Sequence, residues 1–239
     1  MLSSKPIKTK IFEKAMNLND FIDQSLGDEK LEGKILAVTS KVVSLAEKRL
    51  VSKEMISKDD LVVQESDHYL GKIAYDCHLT VKEGLLIASA GIDESNSQDE
   101  HFILFPQNPF QSARNIYEYL KEKRGLTNFG VILTDSHTTA LRRGVVGAAL
   151  AYYGFSGVKN KVGSKDLFGR ELQMTSMNLA DSIATAATVV MGEGDECQPL
   201  AIIEYPVEFS VLDSNDELKI PLEQDLYLSL IHISEPTRP

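Results

Sequence analysis

Cysteine is scarce in this chain, two residues in 239, and the scarcity removes two kinds of architecture. Cys77 and Cys197 lie far apart without a partner motif, which argues against a disulfide framework or a zinc ribbon, so both read as reduced, structural thiols. Long apolar runs are missing as well. No stretch approaches the roughly 20 residues that span a bilayer. The opening Met1-Leu2-Ser3-Ser4-Lys5-Pro6 leads into alternating Ile7-Lys8-Thr9-Lys10-Ile11 rather than the apolar core of a secretory signal. The expected location is therefore the cytoplasm. Excess positive charge is also absent, since 25 Lys and Arg stand against 35 Asp and Glu, a net charge of −10. A field of that sign repels polyanions, so neither nucleic acid nor a membrane surface is an expected partner. No internal repeat, low-complexity tract or obvious interdomain linker divides the chain.

What remains is a sequence 43% hydrophobic, able to bury a substantial core as one large domain or two small intertwined ones. The pattern predicts a helix over Leu18–Leu26 and a strand over Ile35–Val38. Thr39 and Ser40 follow, with hydroxyls placed to cap a helical stretch through Val43 and Ala46 and backbone N–H groups able to receive a phosphate. Lys53–Asp60 reads as an exposed connection and Leu61–Gln64 as a short strand. The clearest helix opens at Asn108-Pro109 and closes at Arg124-Gly125. Phe129–Leu133 is apolar enough for a strand buried on both faces. Val145–Tyr153 suits helix or strand, and the punctuating Gly144, Gly147 and Gly154 favour strand. A helix over Asn178–Met191 capped by Gly192, then a strand over Leu200–Glu204, complete an alternation that argues for a mixed α/β fold. Residues 228–239 break with the preceding composition and read as a translated cloning remnant, leaving 1–227 as the functional region.

Two acidic signatures stand out, Ala90-Gly91-Ile92-Asp93-Glu94-Ser95-Asn96 and Thr134-Asp135-Ser136-His137. Each sets a carboxylate at the end of an apolar or small-residue run, where a strand would hold it at the rim of a sheet, the arrangement that metal sites for phosphoryl chemistry use. Arg142, Arg143, Lys159, Lys161, Lys165 and Arg170 form a local basic patch against the single acid Asp166. The patch suits phosphates or is a solvated positive face. Arg142 and Arg143 are the better phosphate clamps, because a guanidinium is bidentate, and the lysines read as a solvated rim. Gly192-Glu193-Gly194-Asp195 follows a helix and lacks a third glycine, so it is no dinucleotide fingerprint; it is a routine helix cap or part of the site. His137 sits where a general base would serve, or is structural. His68, His78 and His101 share no spacing and receive no role.

These motifs add to Thr39-Ser40-Lys41-Val42-Val43-Ser44, Arg142-Arg143-Gly144-Val145-Val146-Gly147, Asp166-Leu167-Phe168-Gly169-Arg170-Glu171-Leu172, Ala180-Asp181 and Met191-Gly192-Glu193-Gly194. Each is short; seven in one order make a strong match. Up to about Tyr205 the chain resembles the coenzyme F420:L-glutamate ligases, which attach γ-linked glutamates to a deazaflavin. The resemblance implies a stand-alone ligase in which GTP or ATP phosphorylates a substrate carboxylate and the amine of glutamate displaces phosphate from the acyl phosphate. It implies Mg²⁺ or Mn²⁺ held by Asp93, Asp135, Ser136 and Glu193, nucleotide contacts at Ser40, Lys41, Asn96, Gly192 and Gly194, and a catalytic part for Asp93, Asp135 and Arg142. It further implies a two-lobed, intertwined homodimer with its site in a cleft. Leu45 departs from the lysine that many of these ligases carry, and Ser136 from their threonine. The run Ser136–Arg142 looks more like the folate-metabolism γ-glutamate ligases, so the acceptor is the deazaflavin precursor or, alternatively, tetrahydrofolate. The reading from another class is a nucleotide-binding module that has lost ligation.

Overall fold

The apolar stretch after Phe129 forms an interior strand of the largest sheet, where both of its faces are covered. In the computed structural model, which describes residues 1–95 and 100–227, the chain forms β1 (Ser3–Ile7), α1 (Leu18–Leu26), β2 (Ile35–Thr39), α2 (Ser40–Ala46), β3 (Leu50–Ser52) and α3 (Lys58–Glu65). There follow β4 (His68–Lys72), β5 (His78–Lys82), β6 (Leu85–Ala88), β7 (His101–Ile103), α4 (Pro109–Arg124), β8 (Gly130–Thr138) and β9 (Val145–Tyr153). The last elements are β10 (Val158–Asn160), β11 (Ser176–Asn178), α5 (Leu179–Met191) and β12 (Leu200–Glu204). The main sheet has the order β1-β12-β2-β8-β9, and β2 and β8 are its parallel pair. Strands β4-β5-β6, β3-β7 and β10-β11 form smaller antiparallel sheets. The fold is mixed α/β, as the alternation of elements predicts.

Alternation along the strands builds two cores. Leu36, Val38, Val131 and Leu133 point to one face and meet Phe21, Ile22, Val43, Ile116 and Leu120 of α1, α2 and α4. Ile35, Ala37 and Ile132 point to the other and meet Leu179, Ile183 and Ala187 of α5. Helix α4 is set as its sequence demands. Asn108 accepts from the Gln111 N–H at 2.9 Å, Pro109 occupies the first turn, and Gly125 closes the helix in the left-handed conformation. Contact between α5 and β9 is backbone-close: a Cβ on Gly147 would lie 2.5 Å from the Ala184 carbonyl oxygen, and the Thr185 hydroxyl donates to Gly147 O at 2.9 Å. The motif residue Asp181 serves this packing. Pairing with β8 skips Leu150, a β-bulge, and Asp181 Oδ1 accepts the neighbouring Ala149 N–H at 2.9 Å.

One expected element is corrected. Leu61–Gln64 is not a strand but part of α3, whose Ser57 hydroxyl accepts from the Asp60 N–H at 3.1 Å and so caps the first turn. Asp59 and Asp60 suit that end of the helix dipole. The fragment 228–239 lies outside the described residues. No helix among the described residues is long and apolar enough to cross a membrane. Both cysteines are free.

Glu32 ties the turn before β2 to the loop before β8. Its carboxylate accepts from the Thr127 hydroxyl (2.6 Å) and N–H (2.9 Å) and from the Asn128 N–H (2.9 Å). These donors, the Thr127 hydroxyl foremost, hold its pKa down from 4.5 to about 2. A depressed carboxyl contributes stability that is present above the unfolded value and lost as pH falls through the folded one. Glu32→Gln is therefore expected to lower Tm at pH 7, with the deficit shrinking between pH 4.5 and about 2. A deficit constant across that window in thermal melts would assign the effect to packing instead.

Candidate active site

Parallel strands that end side by side leave their C-terminal edge open to a ligand. A cleft of ≈ 750 Å³ sits at that edge of β2 and β8. Its walls come from the segment Thr9–Phe12 after β1, the start of α2, the turn after β6, and the loop Gly192–Pro199 between α5 and β12. Thr9 N–H donates to Cys197 O at 2.9 Å, so the first and last parts of this wall are joined.

Asp135 lies within β8 rather than after it, at the point where burial begins to relax: Thr134 is 1% exposed, and from Asp135 onward the strand opens into the cleft. Asp93 is delivered differently from expectation. Strand β6 stops at Ala88 and the chain turns through Ser89, Ala90 and Gly91, with successive φ of 51°, 54° and 67°. Three consecutive left-handed residues are unfavourable, and β5 holds them: the Thr80 hydroxyl accepts the Ala90 N–H at 2.9 Å and Ser89 Oγ accepts the His78 N–H at 3.3 Å. Beyond the turn, Asp93 is locked to Ile103 by reciprocal backbone bonds of 2.9 and 2.8 Å.

Lys41 Nζ stands 2.6 Å from Asp93 Oδ2 and donates to Ser95 Oγ at 3.0 Å. Burial pushes the Asp93 carboxyl up, but the Lys41 ammonium and the Ser95 donors outweigh it and hold the group below the usual carboxylate range. Asp135 goes the other way. Burial pushes it to about 7 against the Ser136 N–H; repulsion from Asp93 and Glu193 adds to the rise and Lys41 partly offsets it. One end of the cleft thus gathers more negative charge than its lysine neutralises, which is the electrostatic setting for a divalent cation. The donors are hard oxygens, as Mg²⁺ or Mn²⁺ prefers. Among the described residues no three His, Cys, Asp or Glu side chains lie close enough together to hold a metal ion.

Of the residues expected in the site, Lys41, Asp93, Asp135, Ser136, Glu193, Gly192 and Gly194 line this one cleft, with His137 and Leu45 beside them. Ser40 does not; it is 4% exposed in the first turn of α2. Thr39 occupies the N-cap position, yet its hydroxyl makes no capping bond. Arg142 and Arg143 sit on the exposed β8–β9 turn, and Lys159, Lys161, Lys165 and Arg170 on the exposed β10–β11 hairpin, all outside the cleft. Asn96 lies outside the described residues. Sequence reading missed Thr9–Phe12, Thr188 and Glu196, which also line the cleft, and gave no role to Thr134, which it named only within the motif. Glu196 is the most pointed of these. Its carboxylate accepts from the Gly194 N–H at 2.8 Å and fills the space a Cβ on Gly192 would need.

Comparison with known proteins makes the chain a ligase that forms an amide bond. More closely, it belongs to the F420-0:Gamma-glutamyl ligase family, whose model matches residues 6–204. The chain is 35% identical over 189 residues to the coenzyme F420:L-glutamate ligase of Methanopyrus kandleri, covering 72% of this chain and 74% of that protein. It is 34% identical over 230 residues to the protein of the same name from Methanocaldococcus jannaschii, covering 89% and 90%. With that of Archaeoglobus fulgidus it shares 33% over 189 residues, 72% of this chain and 75% of that protein.

Proposed function

We propose that this protein is a metal- and nucleotide-dependent γ-glutamyl ligase that joins L-glutamate to the carboxylate of coenzyme F420-0. Membership of the family supports the acceptor and the amide bond. The observation that carries the chemistry is the meeting of Asp93, Asp135, Glu193 and Lys41 in one cleft. In the reaction, an oxygen of the acceptor carboxylate bonds to the γ-phosphorus of GTP or ATP, and the bond to the β,γ-bridging oxygen breaks, releasing nucleoside diphosphate. The glutamate nitrogen then bonds to the acyl carbon, the carbon–oxygen bond to phosphate breaks, and the amine proton passes to a base.

Nucleophile and γ-phosphate are both anionic, so Mg²⁺ or Mn²⁺, when bound, would screen their repulsion and align them. Asp93, Asp135 and Glu193, with Ser136 as a neutral oxygen donor, are the residues that would hold it. Lys41 now bonds Asp93; on ligand entry its ammonium is placed to turn to a phosphate oxygen. His137 lines the same cleft and is the candidate base for the incoming amine. Residues 1–227 form the ligase region. Exposed Leu167, Phe168 and Met174 on the β10–β11 hairpin support a homodimer, and the free cysteines suit the cytoplasm.

Tetrahydrofolate is the second acceptor, favoured by the run Ser136–Arg142, of which Ser136–Thr138 face the cleft. Pure protein with glutamate, Mn²⁺ or Mg²⁺, GTP or ATP, and either F420-0 or tetrahydrofolate monoglutamate is to be analysed by mass spectrometry. A gain of one glutamate on F420-0 alone is the expected result. Gain on the folate alone would move the acceptor, and nucleotide hydrolysis with no gain on either would leave a module that has lost ligation.

A further inference from the structure

Two side-chain atoms among the described residues are buried without a hydrogen-bond partner, and one of them, Thr134 Oγ1, belongs to a residue of the cleft wall. An orphaned buried hydroxyl is unfavourable, and in a folded chain it calls for a cause. Thr134 sits beside Asp135 but on the other face of β8. Alternation puts it with Ile132, on the side covered by α5, and its register partner Thr39 on β2 shares that side. The cleft therefore wraps around the strand end. Asp93, Asp135 and Lys41 occupy one side, and Thr39, Thr134 and Thr188 line the other, next to the glycine loop that carries Glu193, Asp195 and Glu196.

That loop shows which chemistry the second side accepts. Gly194 N–H already holds a carboxylate, Glu196, at 2.8 Å, and no cation is paired with that carboxylate among the described residues. Pro199 O, at the loop's far end, accepts the Thr39 N–H at 2.9 Å, which seats the loop against the strand pair carrying Thr134. A loop N–H that already holds a carboxylate and an unpartnered hydroxyl in the same cleft wall fit an anionic oxygen. Thr134 reaches it by one χ1 rotation, because the methyl and hydroxyl of threonine exchange places about that bond.

We propose that Thr134 is a substrate-binding residue, whose hydroxyl donates to an anionic oxygen, carboxylate or phosphate, of a substrate bound on the α5 side of the cleft. The proposal rests on the ligase reading and adds to it a contact outside the carboxylate group. The chemistry has three sources, the nucleotide phosphates, glutamate and the acceptor, and kinetics separate them. Thr134→Val keeps the shape and removes the donor. It is expected to raise the KM for one of the three at least tenfold, with the other two within twofold. Thr134→Ser should restore that KM to within twofold of the parent. In the ligand-free protein Thr134→Val should melt at the same temperature or higher, since the hydroxyl it removes has no partner to lose. All three KM values within twofold of the parent in Thr134→Val would overturn the proposal. Absence of ligation by the parent would remove the ligase reading instead. The proposal is then decided by the melting shift that GTP or glutamate alone gives the parent, which Thr134→Val should lack; a shift equal in both proteins, or none in either, would overturn it.

Discussion

Asp135→Asn is expected to reduce amide formation by about 10² or more in kcat while leaving the fold intact, because it removes the one charge on β8 that faces the cleft. The substitution keeps size and one carbonyl oxygen, so loss of activity would report charge rather than shape. Stability should move the opposite way. In the metal-free protein Asp135 is raised from 3.8 to about 7 by burial. A group raised in the folded state favours folding below its unfolded value, and that advantage is lost as pH rises through the folded value. The parent should therefore lose melting temperature between pH 3.8 and about 7 relative to Asp135→Asn, and saturating Mn²⁺ should narrow the gap above pH 7. Parent-like turnover in the variant would remove the carboxylate from the mechanism. Parallel melting curves across that range would show that the group is not perturbed in solution.

Gly91→Ala should be among the most damaging single-methyl changes available. Its backbone is left-handed, φ 67°, and a Cβ there would fall 2.2 Å from the ring of Phe105, itself 4% exposed in the main core. Overpacking and the left-handed penalty together are expected to cost about 2–4 kcal/mol, read by urea or thermal unfolding. The site is two residues away. Any shift of the turn moves Asp93 relative to Lys41 and Asp135, so Mn²⁺ affinity should fall with stability. Adding Phe105→Leu, which shrinks the ring that would be struck, should recover part of the stability. A Gly91→Ala protein as stable as the parent would mean that Phe105 gives way freely.

The elements readable from sequence are those with complete local signals. Asn108-Pro109 and Gly125 mark both ends of α4, and Phe129–Leu133 has no polar face to offer, so a central strand is the outcome. Leu61–Gln64 misleads because four residues do not separate a strand from a helix by period. The deciding signal was nearby in Ser57-Lys58-Asp59-Asp60, where the serine hydroxyl caps the Asp60 N–H. In the site, Asp93, Asp135 and Glu193 were legible as acids beside small or apolar residues. Thr9–Phe12 and Glu196 were not, since nothing local distinguishes them; they reach the cleft through a bond from Thr9 to Cys197, at the opposite end of the region. Arg142 shows the converse, a motif residue whose side chain stands on an exposed turn.

Strand β12 lies between β1 and β2, bonded to both. The order of synthesis is thus not the order of the sheet. At about 5–20 residues per second, β1 and β2 wait about 10–40 s for the strand that joins them. Until Leu200–Glu204 is made, the β12-facing edge of β2 stands open, and an unpaired apolar edge is a template for other chains. On the ribosome the nascent chains that have β2 but not yet β12 are then the most prone to self-association, and the cleft, with its Thr9 to Cys197 closure, is among the last parts of the molecule to form.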